Sequence, residues 1–381
     1  MRTILLSCVC ASVVAIAPAR AQSVLTVGPG GFPSIPAALA VASPGAIVEI
    51  APGTYPAFSC GVGVTLRPAG PGAVVIDLVS GNPFPPIGTS VQFAAPAGQT
   101  IHVVGLAFLL PAAGTFPSAH PEVLVASDAV FEDCTLAASQ GFANGSLRVG
   151  PAAVVHLQNV TSQGPMLRVS GRATVSQSAF TGSWALGFPL PAAWIEGMLH
   201  ANHSVFVGGS SSTQAGGAGV DTSAAGQLCA TDCTIQRGAG SGASCAVLGA
   251  GAARLARVAS NTPACLPAAV TSGLGAQRGG PVVRGGTLAV GYRAEPLAPV
   301  GVHLSHAIAS TPLPFTTQPW GAPLGGSFEV AFGLTDAGGQ ATFPFAIPNL
   351  AALAGLPVWL HGWSGWTFPL DVAPPVGGLV R

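Results

Sequence analysis

Lysine is missing from this sequence of 381 residues, and all 13 basic side chains are arginine. That excludes Schiff-base chemistry and the phosphate-gripping lysine of a P-loop. Acidic residues are equally scarce, also 13, so only 7% of the chain is charged and the formal net charge is zero. Nothing electrostatic favours a nucleic-acid or anionic-membrane partner. No Asp-Asp pair and no HExxH motif occurs. Beyond the N-terminal segment the longest apolar run, Phe345 to Leu360, is broken by Pro348, Asn349 and Pro357, too short and too interrupted for a membrane-spanning helix. What the chain does hold is 52 glycines and 35 prolines, the two poorest helix formers. A hydrophobic content of 49% excludes a disordered chain. The balance predicts a turn-dense, β-rich fold with a sparsely charged surface.

The first 21 residues read as a targeting segment. Arg2 supplies a positive start, Ile4 to Ala17 is uncharged and mostly apolar, and Ala19-Arg20-Ala21 forms an A-x-A cleavage site before Gln22. The expectation is a signal peptide over 1–21 and an exported mature protein, without a membrane anchor after cleavage. Six cysteines then remain: Cys60, Cys134, Cys229, Cys233, Cys245 and Cys265. Export permits disulfides, but connectivity does not follow from sequence; Cys245 with Cys265 is the first pairing to test. Cys229 and Cys233 are not a CxxC pair and have no histidine partner pattern for zinc.

A degenerate repeat runs through the middle of the chain. Segments starting at Val103, Phe131, Leu157, Val175, Ala201, Ala230 and Leu255 share one pattern: apolar, two variable, small or apolar, any, apolar. The segments at Leu157 and Leu255 lack the final apolar residue. Successive starts lie 28, 26, 18, 26, 29 and 25 residues apart, a period that means stacked supersecondary units. Strict strand alternation would place residues 103, 105 and 107 on one face. Instead Val103, Leu106 and Phe108 are the apolar ones. Two short strands meeting at a corner, with two residues pointing outward, explain that break in phase. One corner per repeat is what a β-solenoid requires.

These rungs resemble those of right-handed parallel β-helix proteins, the pectin-lyase-like superfamily. The start of the mature chain strengthens the likeness: Leu25-Thr26-Val27, Gly30-Gly31-Phe32, Ser34-Ile35, Ala37-Ala38-Leu39, Pro44-Gly45, Ile47-Val48-Glu49-Ile50 and Pro52-Gly53-Thr54-Tyr55 follow in order. That order is similar to the strand, capping helix, strand and PGTY turn that open many exported β-helix proteins. Ser34 suits an N-cap, and Ile35, Ala38, Leu39 and Ala42 make one apolar stripe. The resemblance spans residue 24 to about 280 and implies an all-β fold: a right-handed parallel β-helix with an N-terminal capping helix over 22–284. From 285 to 381 the pattern changes to six short strands between Pro-rich turns, which predicts a small β-sandwich-like module. The run Phe345-Ala346-Ile347-Pro348-Asn349 through Leu356-Pro357-Val358-Trp359-Leu360 resembles carboxy-terminal modules of exported proteins from environmental bacteria. Trp359, His361 and Trp363 share one face by alternation and are expected in its core.

The chemistry of β-helix enzymes finds little to work with. Pectate-lyase-like catalysis implies clustered carboxylates holding calcium. The solenoid's Asp77, Asp128, Asp133, Asp221, Asp232, Glu49, Glu122, Glu132 and Glu196 are scattered, and only Glu132-Asp133 are adjacent. Polygalacturonase-like hydrolysis implies a pair of aspartates, and pectin-esterase-like sites two aspartates with a glutamine and an arginine; neither set assembles from the sequence. Aligned corners instead stack Asp133, Asn159, Gln177, His203, Asp232 and Arg257 in one column, beside Glu132, Gln158, Ser176, Asn202, Thr231 and Ala256, with rungs about 4.8 Å apart. Such a ladder could grip the hydroxyls of an extended glycan; the alternative is an ordinary solvent-facing corner. Trp184, Phe188 and Trp194 fall in a Pro-rich insertion from Gly182 to Gly197. There Trp184 and Trp194 would either stack on sugar rings or pack against the solenoid. No metal site and no cofactor is implied. The expected function is that of an exported, non-catalytic surface or matrix protein that binds extracellular polysaccharide. The competing expectation is a polysaccharide lyase or glycoside hydrolase with a divergent site.

Overall fold

The chain is described by a computed structural model over residues 22–381, apart from the internal stretches 79–89, 111–121, 139–144, 186–187, 242–244, 263, 266–267, 271–272, 309–312, 317–319 and 323–325. The expected signal peptide, 1–21, lies outside the described residues.

From Val24 to Val270 the strands fall into three large parallel sheets of eleven, nine and eight strands, apart from the short antiparallel pair Trp184–Ala185 and Phe188–Pro189. The chain visits them in rotation: Ile47–Ile50, Gly53–Pro56 and Ser59–Cys60 belong to the first, second and third sheet, and Thr65–Pro68, Val74–Asp77 and Ser90–Phe93 repeat the circuit. Such stacked parallel sheets are compatible with a β-helix. Short β-branched segments suit this arrangement, because each strand need only place two or three side chains inward before the next turn. The seven repeat starts are register partners in the first sheet: Val103, Phe131, Leu157, Val175, Ala201, Ala230 and Leu255 pair in succession. In the second sheet Phe108, Leu136, Ser162, Phe180, Phe206 and Ile235 form the matching row. Phe180 stacks on Phe206 with centroids 5.6 Å apart. Buried side chains of all three sheets join one hydrophobic cluster running from Val27 to Ala253, each contributing about 1.5–3 kcal/mol when fully buried.

Glycine has a specific use at the turn from third to first sheet. A Cβ at Gly171, Gly197, Gly226 or Gly251 would come within 2.0–2.3 Å of a carbonyl oxygen of the preceding rung. Only glycine lets successive turns stack that closely. At the N-terminal end Ile35–Leu39 forms a five-residue helix, with Ser34 Oγ accepting the Ala37 N–H at 3.3 Å and with Ile35 and Ala38 buried. Cys245 and Cys265 are joined in a disulfide, their Cα atoms 5.7 Å apart, while Cys60, Cys134, Cys229 and Cys233 are free.

Beyond Val270 the pairing becomes antiparallel. Gly275–Arg278, Thr287–Arg293 and Gln340–Ala346 make one sheet. Ser327–Leu334, Pro299–Ser305 and Pro357–Ser364 make another, with Asp371–Val372 and Val376–Leu379 also paired to Pro357–Ser364. The change of pairing therefore falls ahead of Gly285. Leu288, Val290 and Tyr292 of the first antiparallel sheet share a core with Val300, Val302, Leu360 and Val376 of the second.

Trp359, His361 and Trp363 do share a face, but it is not the one in this core. Gly362 lies against Tyr292, whose ring a Cβ would meet at 2.2 Å, so the inward face holds Val358 and Leu360 and excludes an indole. Trp359 is instead buried against His156 of the first parallel sheet, ring centroids 4.8 Å apart, and His361 is wholly buried. The C-terminal strands thus cover the outer face of the first parallel sheet. That face carries the register row His102, Val130, His156, Thr174, His200, Cys229 and Arg254.

Candidate functional site

From Gly105 onward each rung turns from first to second sheet at a residue of left-handed backbone conformation. Asp133, Asn159, Gln177, His203, Asp232 and Arg257 occupy this place, all at φ between 45° and 55°, the left-handed region that non-glycine residues seldom adopt. Gly105 occupies it one rung earlier at φ 66°. The turn keeps the ladder intact, because each corner N–H donates to the next rung: Asp133 to the Gln158 carbonyl at 3.0 Å, Gln177 to Asn202 at 3.1 Å and Asp232 to Ala256 at 3.0 Å. The residue that follows points inward. There Cys134, Ser178, Ser204 and Cys233 each donate to the carbonyl two residues back. Two free cysteines therefore stand in for serines, and burial pushes both thiols up to about 12.

The reading of the corner as solvent-facing needs correction, because one of its two outward columns is covered. Glu132, Gln158, Ser176, Asn202 and Thr231 are at most 2% exposed, because the C-terminal strands dock over this column. The amide of Gln177 grips the backbone of Arg278, accepting its N–H at 3.3 Å and donating to its carbonyl at 3.1 Å. Asn202 does the same to Ala276, accepting the N–H at 3.1 Å and donating to the carbonyl. Glu132 accepts from Arg278 Nη1 at 2.9 Å, from the Leu379 N–H at 3.1 Å and from Arg381 Nη2 at 3.2 Å. Asp133 bonds to Arg381 and, at 2.7 Å, accepts from Asn159 Nδ2. Burial works to raise the Asp133 carboxyl, but the hydrogen bonds from Asn159 and Arg381 and the charges of Arg381 and Arg278 outweigh it and hold it below the usual carboxylate range.

These contacts border an open cleft of about 230 Å³ lined by Asp133, Gln158, Asn159, Gln177, Arg278, Gly279, Gly280, Pro281 and Arg381. Three of the six column residues, Asp133, Asn159 and Gln177, thus meet in one place. The other three form a separate ion cluster. Arg257 holds Asp232 through Nε at 2.7 Å and Nη2 at 2.8 Å, while Arg293 approaches to 3.5 Å and His203 Nε2 to 3.8 Å. Burial lowers the His203 imidazole, Asp232 pulls the other way without reversing it, and Arg257 and Arg293 add to the lowering.

The two tryptophans separate. Trp184 belongs to a two-stranded antiparallel hairpin, pairing with Pro189; its side chain lies outside the described residues. Trp194 is not in a loop. It sits in Ala193–Ile195 of the third parallel sheet, in register between Arg168 and Asp221, and is half-buried. Beside it Arg168 binds Glu196 at 2.7 Å. Hydrogen bonds from Ser170 and then Arg168 keep the Glu196 carboxyl below its usual value.

Glu49, Glu122, Glu132, Asp133, Glu196 and Asp232 of the parallel-sheet region each face an arginine. Asp128 accepts the Val154 N–H, and burial raises the Asp221 carboxyl. Each of these ion pairs fixes the orientation of its carboxylate. Among the described residues no three His, Cys, Asp or Glu side chains gather as metal ligands do. Sequence reasoning missed Arg278 and Arg381, which reach Glu132 across 146 and 249 residues; no local pattern marks such partners. Comparison with protein-family models, with curated proteins and with solved structures finds no match to this chain.

Proposed function

We propose that the protein is an exported right-handed parallel β-helix, related in architecture to pectin-lyase-like proteins and followed by a β-sandwich module, and that it is a non-catalytic surface or matrix protein binding extracellular polysaccharide at the polar corner. Export rests on the signal-like segment 1–21. The observation that carries the rest is the state of the polar side chains. Six carboxylates of the parallel-sheet region face arginines, and at the corner Asp133, Asn159, Gln177, Arg278 and Arg381 line a cleft in which opposite charges balance. Amides with balanced charge recognise hydroxyls and supply no strong acid or base.

The test is a glycan array run on the chain from Gln22 onward, with a parallel assay for released reducing ends and unsaturated sugars. Retention of a polysaccharide without turnover is the expected result. Released product would replace this reading by a lyase or hydrolase. Absence of binding to every glycan would leave a purely structural role.

A further inference from the structure

The geometry points to the strand Ser327–Leu334 as a self-association edge, along which a second copy of this chain adds its own Ser327–Leu334 in antiparallel register. The strand ends its sheet. It pairs on one side with Pro299–Ser305 and, among the described residues, with nothing on the other. Just past it the Thr335 N–H donates to the Ala298 carbonyl at 2.9 Å. Backbone groups alternate in direction along a strand, so those of Gly333 turn toward Pro299–Ser305 and those of Phe332 and Leu334 turn outward. This edge stands apart from whatever the polar corner binds.

Its side chains are distributed against burial in a single copy. Ala331 packs on the core of the two antiparallel sheets, and a Cβ on Gly333 would meet the Phe343 ring at 3.3 Å. Phe332 lies on the opposite face, its ring centroid 6.1 Å from that of Trp363, and is 58% exposed. Phe328, Val330 and Leu334 are 54%, 37% and 54% exposed. A strand that turns its small residues inward and its large apolar ones to water leaves its better packing surface for a partner. Natural sheet edges are blunted by proline, charge or brevity. One edge of the other antiparallel sheet, Gln340–Ala346, carries Pro344 at mid-strand. Ser327–Leu334 runs for eight residues without proline, and its one charge is Glu329.

A second copy is the occupant these residues match. Glu329 faces His303 of its own chain at 3.8 Å, so the edge presents no free charge to a basic or acidic partner. Over Val330–Leu334, on the regular side of the register shift at Val302/His303, an antiparallel pairing about Phe332 sets that residue opposite itself and Val330 opposite Leu334. Aromatic and aliphatic cross-strand pairs of this kind stabilise sheets. Glu329 then falls opposite Thr335, which keeps the two carboxylates about 20 Å apart along the strands. A parallel pairing in register would instead set them side by side. The twofold arrangement closes at two copies. Half-exposed phenylalanines present roughly 100 Å² each, so the strand buries on the order of a few hundred Å² per copy, the scale of a weak and reversible dimer.

The experiment is sedimentation equilibrium of the chain from Gln22 at about 1 to 100 μM, with oxidative cross-linking of variants that carry one added cysteine and thermal melting as the check on folding. Wild type should pass from one chain per particle to two as concentration rises. Phe332→Lys sets two like charges face to face and should weaken association about tenfold or more at an unchanged melting temperature. Val41→Lys, at an apolar residue 61% exposed beside the N-terminal helix, should leave it unchanged. Phe332→Cys should oxidise to a cross-linked pair, since Cα atoms of a hydrogen-bonded antiparallel pair stand about 5.5 Å apart, within disulfide reach. Glu329→Cys should not cross-link beyond the wild-type background. A wild type that stays a single chain at about 100 μM would overturn the proposal and leave the edge to an extended segment of a different protein. Dimers undiminished by Phe332→Lys would place the contact elsewhere. Cross-linking of Glu329→Cys in place of Phe332→Cys would overturn the antiparallel pairing.

Discussion

Asp133, Asn159, Gln177, His203, Asp232 and Arg257 adopt one backbone conformation with five different side chains. A left-handed φ costs a non-glycine residue roughly 1–2 kcal/mol, least for Asn and Asp, which fill three of the six places. The unbroken ladder of corner hydrogen bonds offsets that cost. At His203, whose nearest charged partner is 3.8 Å away, the backbone should dominate the response to substitution. His203→Gly should leave stability within about 1 kcal/mol of wild type, and His203→Val, β-branched at positive φ, should lower it by about 1–2 kcal/mol more. Urea unfolding of both variants checks this, since each loses the imidazole and only the φ preference differs. Equal losses would show that the side chain, not the turn, matters there.

At the scale of strands, the corner column is where one part of the chain meets another. Gln177 and Asn202 use their amides as a neighbouring strand would, bonding the backbone of Arg278 and Ala276. Between them and the strand Val376–Leu379, Glu132 is wholly buried with Arg278 only 5% exposed. Breaking a buried pair by removing one partner costs about 3–5 kcal/mol, because the survivor keeps its desolvation without compensation. Glu132→Ala should therefore destabilise the protein by about that much and expose the C-terminal strands to limited proteolysis. The double variant Glu132→Met with Arg278→Met should recover a substantial part of the loss. A Glu132→Ala protein with wild-type stability and protease resistance would mean that the apolar contacts at Trp359 hold these strands unaided.

Over the whole molecule, docking of the C-terminal strands has made a set of histidines unreachable by water. Burial takes His156, His200 and His361 down to about 3, with Arg278 adding to the effect at His156, and His156 and His303 adding to it at His361. His200 Nε2 and His361 Nδ1 have no hydrogen-bond partner, so an added proton there would be buried without an acceptor, and at His156 a hydrogen bond with Gln158 opposes the lowering without reversing it. The unfolded chain takes up these protons near the ordinary histidine value of about 6.5 and the native state does not. Stability is thus full above about pH 6.5 and falls as the pH drops toward 3. Each histidine contributes up to about 1.4 kcal/mol per pH unit, or about 4 kcal/mol for the three. Chemical denaturation should show a plateau near pH 7–8 and a steep loss below about pH 6. Replacing His156 and His200 by Gln should flatten the slope, whereas a slope unchanged by these replacements would place the proton uptake elsewhere.

The sequence by itself determined the rungs. The seven repeat starts are register neighbours, and the three-then-two phase break is a corner at the predicted residues, because inward side chains must be apolar wherever strands stack and the pattern records that directly. Most strands after Gly285 were legible for the same reason, but the expected strand from Thr367 to Val372 is extended pairing only at Asp371–Val372, and Val376–Leu379, with two glycines and no alternation, carried no such mark. Only the tertiary structure decided which polar residues meet. A polar side chain at a corner reads alike whether water or another part of the chain lies beyond it. The chain places Arg278, Leu379 and Arg381 there from more than 140 residues away. Contacts between distant segments depend on how whole sheets dock, which no local period encodes. For that reason a column read as an open ladder became a covered interface with one cleft left in it.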